Sequence, residues 1–282
     1  MKTVCGISNG RLCRKWREST APDEDFTKTP DPISVLSVLL CCEVLFVSTD
    51  GCLPFADNHL HKDERIFQAV NYGGVRVMML LADMLVHTDF NAQMQEVGAT
   101  FRKKTGIPFK VHQAGIVAPD VEIAADLLEA QGFGPFMIAA ATLPRWTERG
   151  AEGRFRGKMG VAYHDGIELE LLEPGEGSNF YRRYVDPEGR PVLQHIGFLT
   201  HAVDEWAERL SGMRCPLWVR GRIGVGPLSI DFAYMDSVRE AGIILEFIGY
   251  RFAGIPARPV AGIMRAAAWL QKKAGKRCID FG

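Results

Sequence analysis

The sequence predicts an α+β protein in which one strand, helix, strands unit is used twice, and three observations predict it. A short apolar run with a polar side chain two places before a glycine, "VHQAGIV" from Val111, returns 82 residues later as "LQHIGFL" from Leu193. Each copy is followed by a stretch of helical period, "DVEIAADLLEAQG" and "VDEWAERLSG". Each half then closes on an apolar run carrying a glutamate, "GIELELLEP" and "GIILEFIGY". With Gly115 laid on Gly197, Val121 meets Val203, Ala125 meets Ala207 and Leu128 meets Leu210. Glu170 meets Glu246 at an offset of 76 instead of 82, a six-residue change that surface loops absorb readily.

In order along the chain, residues 1-108 form an N-terminal extension, expected to be partly disordered and then helical. Its first part mixes a Pro/Asp/Thr-rich stretch with a cysteine-rich apolar run, Ile33 to Val47. From Arg65 to Lys104, Met and Leu recur at helical intervals, predicting one or two helices with "NYGG" as a break. An internal start at Met78, Met84 or Met94, which would make the upstream residues non-native, is one expectation; a helical extension that covers a sheet edge or builds a dimer is the other. Residues 109-250 hold the two units, 109-190 and 191-250. Asp120 opens the first helix and Gly212 stops the second, while the glutamate runs and "DFAYMD" read as strands. "LPRWTERGAEGRFRGK" reads as a charged loop and "RGRIGVGP" as a hairpin connection. Residues 251-282 carry seven basic residues before the first acidic one, Asp280, and Val260 to Lys273 fits an amphipathic helix.

Composition narrows the function classes. Thirty-three basic residues against 34 acidic ones give no charge field that would recruit nucleic acid or a membrane surface. The longest apolar run contains Glu43 and falls short of the roughly 20 residues that span a bilayer. Seven cysteines without paired spacing point to a reducing, cytoplasmic setting, and a small-molecule substrate becomes the expected partner.

The four quoted strand motifs, in this order over about half the chain, resemble the vicinal oxygen chelate superfamily, which includes glyoxalase I, methylmalonyl-CoA epimerase and the extradiol dioxygenases. The resemblance implies two tandem βαβββ modules forming a cupped mixed sheet, with metal ligands on the first and last strand of each module. Carried onto this chain, those positions are Gln113, Glu170, His195 and Glu246. One imidazole, two carboxylates and one amide oxygen suit a single divalent ion such as Zn, Ni, Co, Mn or Mg. Around a six-coordinate ion they leave two neighbouring positions for substrate oxygens.

Glu170 and Glu246 each interrupt an apolar strand, where an unpaired buried carboxylate would be costly. Both are candidate proton carriers. Glu168 lies two residues before Glu170 and shares its face, so it is a third candidate base or a group that orients a ligand. His112 is expected on the opposite face. The resemblance places Arg145, Trp146, Arg154 and Arg156 near the mouth of the cup as substrate contacts. The function implied is a lyase or an isomerase/epimerase acting on a small oxygenated substrate, such as a 2-oxo compound, a thiohemiacetal or an acyl-CoA. A non-catalytic binding protein is the alternative of different class, and an extradiol dioxygenase would want histidine at Gln113. A homodimer is compatible with this reading.

Overall fold

The computed structural model describes residues 89–282, together with the strand pairs Asn71–Tyr72 (β1), Val75–Arg76 (β2) and Met79–Leu80 (β3). The apolar run Ile33 to Val47 lies outside the described residues, as do Met78 and Met84. β1 and β2 pair antiparallel across the expected break, and β3 pairs with Leu193 and Val192. Between Arg65 and Lys104 the helical expectation is therefore corrected in its first part. The described positions from 71 to 80 are short strands, and backbone pairing has overridden the Met/Leu periodicity.

The helix of this region is Phe90–Thr105 (α1). Asp89 caps its start by accepting from the Ala92 amide at 2.8 Å, and Gly106, at φ 68°, ends it in the left-handed conformation that follows so many helices. Phe90, Met94, Val97 and Phe101 recur at helical spacing and are buried in the same cluster as Val111, Ala114, Ile196 and Phe198. The core thus crosses the boundary expected at residue 108, and α1 belongs to the body of the protein.

Val111–Val117 (β4) leads to Val121–Ala130 (α2), whose cap is Asp120, and then to Met137–Glu148 (β5), Ala151–His164 (β6) and Ile167–Leu172 (β7). A single 3-10 turn, Tyr181–Tyr184, precedes Val192–Leu199 (β8), Val203–Ser211 (α3), Leu217–Val225 (β9) and Leu228–Met235 (β10). The short helix Val238–Ala241 (α4) and Ile244–Phe252 (β11) follow. Ile255–Ala257 (β12), Ala261–Lys273 (α5) and Ile279–Asp280 (β13) complete the chain.

The stretch expected as a charged loop is instead the β5–β6 hairpin, turning at Arg149 and Gly150, both at positive φ. Its inward residues Trp146 and Phe155 supply the apolar side of two long strands whose other side is charged. Likewise "RGRIGVGP" runs along β9, with the turn confined to Gly226 and Pro227.

The strands from β4 to β11 pair in a circuit: β4 with β7 and β8, β7 with β6, β6 with β5, β5 with β9, β9 with β10, β10 with β11, and β11 back to β8. The result is a mixed sheet curled into a barrel-like cup. Its outer face packs on α1, α2 and α3, and an aromatic cluster around Phe180, Trp146 and Phe232 fills one end. α5 lies against β5 and β6, and β13 pairs parallel with β5.

Candidate metal centre

β4 and β8 run antiparallel side by side, and their register sets the site. Gln113 pairs with Gly197, and Gly115 pairs with His195, so each polar side chain lies over the other strand's glycine. A Cβ on Gly115 would come within 1.7 Å of His195 Cε1, and one on Gly197 within 2.8 Å of Gln113 Oε1. The glycine two places after each polar residue therefore makes room for the side chain of the opposite strand. Parallel pairing adds the glutamates: Glu170 is in register with Gly115 on β7, and Glu246 with Gly197 on β11.

Four side chains converge by this arrangement. His195 Nε2 lies 3.1 Å from Glu246 Oε2, 3.4 Å from Glu170 Oε2 and 3.3 Å from Gln113 Oε1. All four residues are buried, His195 completely. On its other side the imidazole Nδ1 donates to Gln194 Oε1 at 2.8 Å, which fixes the ring with Nε2 turned toward the three oxygens. Glu170 Oε2 and Glu246 Oε2 are both shut off from water, and among the described residues they share a single cationic neighbour, His195 Nε2. Buried carboxylate oxygens left in that condition are expensive unless a cation completes them.

Electrostatics agree with the geometry. Burial alone would lower His195, but the charge of Glu246 and the contacts with both carboxylates prevail and hold it up at about 9. Burial pushes Glu246 up to about 7 against the pull of His195, and burial likewise raises Glu170.

Glu168 sits beside this group in a different state. Its Oε1 accepts from Gln113 Nε2 at 2.8 Å and from Tyr250 at 3.0 Å, and its Oε2 accepts from the Tyr163 hydroxyl. Burial works to raise Glu168, but His112 nearby and these hydrogen bonds outweigh it and hold the carboxyl below its ordinary range. His112 does not face away, as alternation would have it. A register shift between Val111 and Gln113 breaks the alternation and brings its Nε2 to 3.6 Å from Glu168.

Sequence reasoning missed four tyrosines here: Tyr163 and Tyr250 on Glu168, and Tyr181 and Tyr234, whose hydroxyls lie 3.1 Å apart beside the centre. Tyr250 in "GIILEFIGY" lies four residues after Glu246 on one strand, so period-two counting would have put it on that face, whereas Tyr234 in "DFAYMD" comes opposite Glu246 only through the register of β10 with β11.

The four groups Gln113, Glu168, Glu170 and Glu246 form the polar floor of a cavity of about 150 Å³. The expected substrate contacts lie elsewhere. Trp146 is buried and stacked on Phe155, with ring centroids 4.6 Å apart, while Arg145 and Arg154 are exposed. Arg156 reaches Asp280 at 2.6 Å. None of the four lines the cavity.

No family model and no curated protein matches this chain. Among solved structures, methylmalonyl-CoA epimerase from Mycobacterium tuberculosis matches at 14% identity and TM-score 0.33, over 49% of this chain and 85% of its own. A methylmalonyl-CoA epimerase in complex with methylmalonyl-CoA and NH4+ matches at 19% identity and TM-score 0.35, over 53% and 99%. A hypothetical protein from Bacillus halodurans matches at 15% identity and TM-score 0.32, over 50% and 94%.

Proposed function

We propose that this chain is a metal-dependent enzyme of the vicinal oxygen chelate type, an isomerase/epimerase or lyase for a small oxygenated substrate. The observation that carries the reading is the convergence of Gln113, Glu170 and Glu246, which line the cavity floor, on the buried His195 Nε2, so that two buried carboxylates share one imidazole. Their donor atoms suit a divalent ion. Ligand bonds of about 2.1 Å place neighbouring donors about 3.0 to 3.4 Å apart in octahedral or tetrahedral geometry. The separations around His195 Nε2 run from 3.1 to 3.4 Å.

When bound, the ion would polarise a substrate carbonyl and acidify the neighbouring C–H. Glu170 and Glu246, both facing the cavity and both raised by burial, are the groups that would accept and return the proton. Glu168 receives a different role in this reading. With both oxygens occupied by donors, it holds the Gln113 amide so that Oε1, not Nε2, faces the centre. Apolar walls and α5 shield the floor from bulk water. A single imidazole among the ligands speaks against an extradiol dioxygenase, which uses two. A cytoplasmic setting is part of the proposal, resting on the seven cysteines without paired spacing. A homodimer remains part of the proposal.

Elemental analysis of protein purified without added metal or chelator tests this, with His195→Ala and Glu246→Ala beside the wild type. Near-stoichiometric divalent metal, lost in both variants, is the expected result. A wild type that takes up no Ni, Co, Zn or Mn on soaking would sink the enzyme reading in favour of a ligand-binding protein.

A further inference from the structure

Resting on that reading, we infer that the substrate has an uncharged, apolar body about the size of one ring or a short branched chain, with its paired oxygens directed to the floor. The cavity walls above the glutamates are built from side chains such as Met137, Leu143, Met159, Ile230 and Phe232. A volume of about 150 Å³ matches the roughly 150 Å³ at which an apolar protein cavity accommodates benzene.

Three features exclude an anionic tail from this space. Lys158 is the one cationic side chain lining it among the described residues, and its ammonium is taken up by Glu122 at 2.8 Å. With a divalent ion offsetting Glu170 and Glu246, the carboxylate of Glu168 still leaves the floor net negative and disfavours a further phosphate or carboxylate there. The arginines that could have received one, Arg145 and Arg154, project from the hairpin into solvent, and Arg156 is paired with Asp280.

The roof belongs to this same chain and is apolar as well. Pro259, Ile263, Met264 and Ala267, at and on α5, together with Phe281 line the mouth. Gln271 fixes this lid to β5: its Oε1 accepts from Ile138 N at 2.9 Å and its Nε2 donates to Ile138 O at 2.6 Å. Backbone bonds from Phe281 N to Ala140 O and from Thr142 N to Gly282 O pin the far end. A substrate carrying a long hydrophilic handle would have to pass this fixed apolar cover. One that ends within the cavity would not.

Two ligand series, titrated calorimetrically into the Ni(II)-loaded full chain, test the inference. Straight-chain hydroxamates from acetohydroxamate to hexanohydroxamate report the ion and the cavity together; the matching simple amides report the cavity alone. Burial of successive methylenes predicts that Kd falls about fourfold for each one in both series. Succinic monohydroxamate, which ends in a carboxylate, is expected to bind at least about tenfold weaker than butanohydroxamate, given the burial of an uncompensated charge. Ala141→Phe, which fills the cavity from β5, is expected to flatten both series. If hydroxamates bind but neither series tightens with length, the apolar substrate is overturned while the metal centre stands. If the amides tighten although the protein holds no metal, the metal centre fails and the apolar occupant stands. Absence of chain-length dependence in both series, or tighter binding of the carboxylate-ended ligand, overturns the inference outright.

Discussion

Gly115→Ala places a methyl group where the structure has an imidazole. The new Cβ would lie 1.7 Å from His195 Cε1, 1.9 Å from Nε2 and 2.2 Å from Nδ1. His195 has no exposed surface into which to retreat, being held by Gln194 on one side and against the Tyr234 ring, 4.9 Å away, on another. Ring and strand must therefore move apart, and overpacking of this severity costs about 3 kcal/mol. The thermal midpoint would drop by about 10 °C, at roughly 2–4 °C per kcal/mol for a protein of this size. A double-mutant cycle isolates the cause. In a His195→Ala background the obstructing ring is gone, and the same methyl should cost under about 1 kcal/mol, a coupling of about 2 kcal/mol or more. Denaturant midpoints of the four proteins in chelator give the cycle free of any metal contribution, and Gly115→Ala alone should retain no metal. Equal destabilisation in both backgrounds would refute the idea that this glycine exists to admit the imidazole.

Glu168→Gln keeps the shape but presents an amide to three donors; metal affinity should drop about 10- to 100-fold with the fold intact, as competition titration would show, and wild-type affinity would remove Glu168 from its orienting role. His195 sits at about 9, above its ordinary 6.5, so it is protonated at neutral pH without metal and the ion must displace that proton. Apparent affinity should accordingly rise about tenfold per pH unit from 7 to 9 and then level; a flat profile in that window counts against the ligand assignment. The sign for stability follows from the same elevation: the metal-free protein keeps this contribution in full below pH 6.5 and loses it as pH rises through about 9, which midpoints across that range would record. Gln271→Leu strands the Ile138 N–H and C=O inside the protein and should destabilise it by about 2–4 kcal/mol, with α5 losing its hydrogen-exchange protection first; unchanged protection there would show that the lid docks by other means.

Much of the centre was legible because the motif occurs twice, and the resemblance it carries implies the four ligand positions. A glutamate inside an apolar run added a physical signal of its own, whereas the reason for each glycine, the side chain of the opposite strand, emerged only with the β4–β8 register. Asp120 and Gly212 marked helix ends through ordinary capping chemistry. The β5–β6 hairpin was not legible in the same way. Its outward face carries Arg145, Glu152 and Arg154, and a register shift between Leu143 and Trp146 breaks the inward alternation that would have marked a strand. Tyr163 and Tyr250 stand 87 residues apart in the chain, and only the pairing of β6 with β7 and the closing of the sheet through β11 bring both to Glu168. The lid was invisible for a similar reason: α5 was readable as a helix, but nothing in its periodicity says which surface it covers.

The interlocked register of β4 and β8 makes the history of these positions depend on order. A lineage bearing histidine at 195 cannot accept a side chain at 115 until the ring has gone, and one that has filled 115 cannot regain the histidine without first restoring glycine. Among relatives, residues 115 and 195 should therefore vary together although they are far apart in sequence. A bulky residue at 115 becomes a marker of a descendant that has given up the centre, readable before any protein is made.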